Sequence, residues 1–100
     1  MNVKVLDKIE KSYVKLDWSE VIDTLKLSVK DMDSMVDILN TFKKNKSAKE
    51  IIICKYKNFP FYVTVKKEEF SNLLDFIKNK FINLELYEKC KLIEDIKSKL

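Results

Sequence analysis

The chain has 100 residues, 46% hydrophobic and 36% charged, with a net charge of +4, and all 20 of its basic residues are lysine. It contains no arginine, no histidine and no glycine. That excludes glycine-rich loops that bring backbone up to a phosphate, the commonest general base and metal ligand, and every two-pronged guanidinium contact to phosphate or guanine.

A chain of this length is expected to form one domain with its own core. Its longest unbroken apolar run, residues 51–54, is too short to span a membrane, and residues 1–7 lack the hydrophobic stretch of a signal peptide. A cytoplasmic location with no membrane partner is therefore expected. Cys54 and Cys90 lack CxxC spacing and read as reduced core residues.

Val5, Leu6, Ile9, Tyr13 and Leu16 recur at helical spacing and predict a helix over about residues 2–16, while the alternation Val14, Leu16, Trp18 also permits a short strand. Asp17-Trp18-Ser19-Glu20 has the form of a capping box that opens about two helical turns. Leu25, Leu27 and Val29 alternate with Lys26 and Ser28, which predicts a half-buried strand. Asp31 or Asp33 then caps a helix with the inner face Met32, Met35, Val36, Leu39 and Phe42, closed by Lys43 and Lys44 and released at Asn45.

Residues 50–57 (EIIICKYK) and 61–65 (FYVTV) predict a β-hairpin that turns through Lys57-Asn58-Phe59-Pro60. A helix follows over 67–81 with the core face Phe70, Leu73, Leu74, Ile77 and Phe81. A last helix covers 84–100, with Asn83 as its cap and Leu86, Cys90, Ile93, Ile96 and Leu100 in line. Leu27-Ser28-Val29-Lys30 and the helix after it echo Val63-Thr64-Val65-Lys66 and its helix. The order predicts an α+β domain with a three-stranded, mainly antiparallel sheet from a β-α-β-β-α core (24–81) and helices packed on one face. A helical N-terminal segment (2–23) and the C-terminal helix are added to it.

Charge is unevenly spread. Residues 17–37 carry six acids and two lysines, whereas residues 38–67 carry eight lysines against Glu50 alone. An all-lysine cation set also fits an AT-rich coding genome, which raises lysine content without any functional cause. The hairpin residues Lys55, Tyr56, Lys57, Asn58, Phe59, Lys66 and Lys67 form the candidate partner-binding surface. An aromatic at the tip suits a protein partner, and lysines interleaved with aromatics suit single-stranded nucleic acid. Lysines on such strands also serve as plain edge guards.

The acids Asp17, Glu20, Asp23, Asp31, Asp33 and Asp37 lack the turn glycine and the spaced glutamate of a calcium loop, and read as caps and an exposed face. No spacing singles out catalytic, metal-binding or cofactor-binding residues, so no enzyme activity and no cofactor are expected. Leu86, Ile93 and Leu100 at heptad spacing, with Ile96 alongside, support pairing of two copies into a homodimer.

Tyr87-Glu88-Lys89-Cys90, followed by Ile93 and Asp95, resembles part of the UVR motif, a helical protein-interaction element, with Lys91 and Glu94 where that motif has a small residue and an arginine. The overall character resembles the small lysine-rich proteins of phages and mobile elements, including anti-CRISPR and related anti-defence inhibitors. That resemblance implies a module that binds another macromolecule, foremost a protein, and regulates or inhibits it.

Overall fold

The computed structural model describes residues 14–24, 26–42, 49–55 and 61–100. In chain order these form strand β1 (Val14–Asp17), helices α1 (Trp18–Val21) and α2 (Val29–Phe42), strands β2 (Glu50–Lys55) and β3 (Phe61–Lys66), a single 3-10 turn (Lys67–Glu69), and helices α3 (Phe70–Asn83) and α4 (Tyr87–Lys97). β3 lies in the centre of the sheet, parallel to β1 and antiparallel to β2. The α+β class and a three-stranded sheet are as expected from sequence, and two of the three strands lie where they were expected. The sheet itself is mixed, one parallel and one antiparallel pair.

The first strand is not the one expected. Residues 26–28 have no regular structure and Val29 already belongs to α2. The reason is local: the Ser28 N–H donates to Asp31 Oδ2 and the Asp31 N–H donates to Ser28 Oγ, both at 3.0 Å. This reciprocal box fixes a helix start where alternation had suggested a strand. The first strand is instead Val14–Asp17, the short strand that the alternation Val14, Leu16, Trp18 had left open as the alternative to a helix, and it pairs with β3. The rest of the expected first helix, residues 2–13, lies outside the described residues, as do the Asn45 exit and the turn through 57–60.

Register fixes two unlike sheet faces, because paired residues point to the same side. Leu16, Ile51, Val63 and Val65 share the face that joins the helix layer, and Lys15, Asp17, Glu50, Ile52, Tyr62 and Thr64 share the other. A bulge between Ile52 and Cys54 breaks the alternation of β2, and both Ile53 and Cys54 are fully buried. The hydrophobic cluster combines this face with Met32, Met35, Val36 and Leu39 of α2, the expected α3 stripe from Phe70 to Phe81, and Cys90, Ile93 and Ile96 of α4. Three lysine–carboxylate pairs clip α4 in place: Lys89 to Asp33 of α2, and Lys78–Glu94 and Lys97–Asp75 between α3 and α4. All three are partly exposed, so solvent screening leaves each with little net effect on stability. Packing of the buried stripe carries the helix.

The turn between α3 and α4 shows how a chain without glycine ends a helix. Leu86 N–H donates to the Phe81 carbonyl at 2.9 Å and Glu85 N–H to the Ile82 carbonyl at 3.0 Å, the paired bonds of a Schellman turn. Glu85 takes the left-handed residue with φ 59°, where glycine usually stands. Asn83, expected as the cap of α4, is the last residue of α3, and α4 starts three residues after Leu84.

Glu85→Gly should raise stability by about 1 kcal/mol, seen as a higher urea midpoint with an unchanged m-value. Burial pushes the Cys54 thiol from 9.0 up to about 12, with the Asp31 charge adding to it. Folding thus keeps a proton that the unfolded chain releases, so this contribution is intact below 9.0 and is lost as pH climbs toward about 12. In that window Cys54→Val should lose less stability than the parent chain. At pH 8 iodoacetamide should label Cys54 only after unfolding.

Candidate functional site

Two surfaces stand out, and the first is the polar sheet face. The Lys15 ammonium on β1 pairs with the Glu50 carboxylate on β2, bridging the sheet across β3 above Thr64. Thr64 is only 3% exposed, and its hydroxyl lies near enough to Glu50 to favour the carboxylate without making a hydrogen bond of normal geometry. Partial burial works to raise the Glu50 pKa, but Lys15, with Thr64 and Lys66 adding, prevails and holds it below the ordinary value. The hydrogen bond to Glu50 raises Lys15 in turn.

Beside this bridge Asp17 caps α1 through the Ser19 N–H at 3.2 Å, and Trp18 Nε1 donates to Glu69 Oε2 at 2.7 Å. The Trp18 bond ties the start of α1 to the turn that follows β3. A hollow of about 360 Å³ opens between Lys15, Asp17, Glu20, Glu50, Lys66 and Glu69. Four carboxylates therefore surround two ammonium groups, which is the wrong balance for a track that follows phosphates.

The expected partner surface is only partly visible. Lys55 and Lys66 stand at opposite ends of the β2–β3 ladder, opposite Tyr62 and Glu50, and Lys67 opens the 3-10 turn. Tyr56, Lys57, Asn58 and Phe59 lie outside the described residues. The expected pairing stripe is largely internal. Ile93 and Ile96 are buried in the chain's own core, Leu86 packs against that core, and Leu100 alone is exposed, at 51%. A stripe already packed against α3 is not free to pair with a second copy. Of the acids, Asp31 completes the α2 cap and Asp33 holds Lys89. Among the described residues no three Cys, Asp or Glu side chains converge as a metal site.

The second surface is a groove in the helix layer that sequence reasoning missed. It has a volume of about 410 Å³ and is lined by Ile22 and Asp23 after α1, Lys26 and Leu27 in the following connection, Met32 of α2, Phe76, Lys80 and Asn83 of α3, and Leu84 in the turn. The Thr24 N–H and hydroxyl both donate to the Val21 carbonyl, at 2.9 and 2.7 Å, where α1 ends. The chain then runs on through Lys26 and Leu27 into the α2 cap. Lys80 Nζ lies 5.2 Å from the Phe76 ring centre, a cation held against the aromatic wall. Leu84, in the groove lining, is 53% exposed, whereas Tyr87, 64% exposed, lies at a separate hollow with Glu85, Glu88 and Lys89. The available signal was a second stripe on α3, Phe76, Lys80, Asn83 and Leu84, one helical turn apart beside the core stripe.

The chain matches no family model, no curated protein and no solved structure. No described helix is long and apolar enough to cross a membrane.

The depressed Glu50 carboxyl gives a pH prediction. Its contribution to stability is present above the ordinary 4.5 and is lost as pH falls through the lower folded value. Urea midpoints measured from pH 6 down to pH 3 should therefore fall more steeply for the parent chain than for Glu50→Gln.

Proposed function

We propose that this chain is a non-enzymatic interaction module that binds another protein and, by covering part of its surface, regulates or inhibits it. The observation that carries this reading is the groove that sets Ile22, Leu27, Met32 and Phe76 beside the exposed Leu84. Burying apolar surface is the main favourable contribution to most protein association. Concave sites that offer apolar side chains to bury against are where partners anchor. The lysine-rich exterior adds faster encounter with acidic partners, while affinity comes from the apolar contacts.

Nucleic-acid binding through the hairpin is the competing reading. The crowding of carboxylates around Lys15 and Lys66 weighs against it on the described part of that surface.

Affinity purification from the native cell, with and without nuclease, separates the two readings. A protein partner should survive nuclease, bind at least about tenfold more weakly to Leu84→Glu, and tolerate Lys66→Glu. Capture of nucleic acid instead, with affinity collapsing between about 50 and 200 mM salt, would overturn the protein reading.

A further inference from the structure

We infer that the groove receives an amphipathic helix of the partner protein, one that inserts apolar side chains and sets an acidic residue beside them. This rests on the groove being the contact surface proposed above. Ile22, Leu27, Met32 and Phe76 give the groove apolar lining beside its polar residues, and the volume of about 410 Å³ holds a few large side chains. Its walls come from helix ends and a helix side, so a ridge of side chains spaced at three and four residues can lie along it.

Charge at the mouth selects the occupant's flank. Lys26 and Lys80 come from different elements and face a single carboxylate, Asp23. Lys15, Lys78, Lys89 and Lys97 each hold a carboxylate within the chain, whereas among the described residues neither Lys26 nor Lys80 has an ion pair. The Lys80 ammonium lies over the Phe76 ring at the groove wall. An acidic residue next to the inserted ridge meets two ammonium groups and one carboxylate. A basic residue there meets the same groups with the balance reversed, so an acidic flank binds and a basic one is repelled.

The test uses three synthetic amphipathic helices of about 18 residues, long enough to be helical, with one leucine ridge and flanks of glutamate, glutamine or lysine. Each is titrated into the isotope-labelled full chain while backbone amide shifts are followed. The glutamate-flanked helix should move the amides of Leu27, Lys80 and Leu84 and bind at least about tenfold tighter than the lysine-flanked one, with glutamine between. The double variant Lys26→Glu/Lys80→Glu should reverse that order, and both side chains are exposed, so its thermal midpoint should stay near the parent value. Equal binding of all three helices in the groove would overturn the acidic flank and leave the docking surface standing. No shift at the groove, or shifts only on the sheet face, would overturn the inference and the docking reading together. Concentration-dependent shifts of the same amides without peptide would give the groove to a second copy and likewise overturn the inference.

Discussion

β3 is the element on which the described fold turns, because it alone has a hydrogen-bonded strand on each side and a packed layer on one face. Val63 and Val65 point into that layer, and Thr64 between them points the other way under the Lys15–Glu50 bridge. A strand in this position must satisfy neighbours in three directions at once. Its β-branched centre suits that role, since such side chains fill a pleated surface without losing further rotamer freedom. The bulge in β2 serves the same end by letting Ile53 and Cys54 both bury against the layer.

Electrostatics in this molecule are mostly local. Lysine is the only cation, yet several lysines are held by carboxylates from other elements, and these pairs link β1 to β2, α2 to α4 and α3 to α4. A basic stretch of sequence therefore does not translate into a basic surface. Glu20, Glu50 and Glu69 come from three places in the chain to surround Lys15 and Lys66, and that mixture changes the kind of partner the sheet face suits. The helix layer differs: its groove combines apolar lining with Lys26 and Lys80, which make no ion pair among the described residues. Contact energy and charge selection are thereby combined in one place.

Missing glycine leaves its mark at the α3–α4 corner. The Schellman turn is needed to fold α4 back so that Ile93 and Ile96 reach the core, and Glu85 takes the left-handed position. The same corner exposes Leu84 and Tyr87. A structural necessity and the candidate docking surface thus occupy neighbouring residues.

The inner stripes of α2 and α3 were legible from the sequence because helical periodicity alone decides which side chains share a face, and burial of Met35, Leu39, Leu73 and Ile77 follows directly. The strands β2 and β3 were legible for the same kind of reason, through runs of β-branched residues. Tertiary structure decided what short patterns leave open. Leu27-Ser28-Val29-Lys30 and Val63-Thr64-Val65-Lys66 read alike, but Asp31 follows the first at capping distance and turns it into a helix start, while the second has strands to pair with. The parallel β1–β3 pair, the carboxylates around Lys15 and the groove all join residues far apart in the chain. Which of them meet depends on loop closure and on competition between packings, and local sequence carries no record of either.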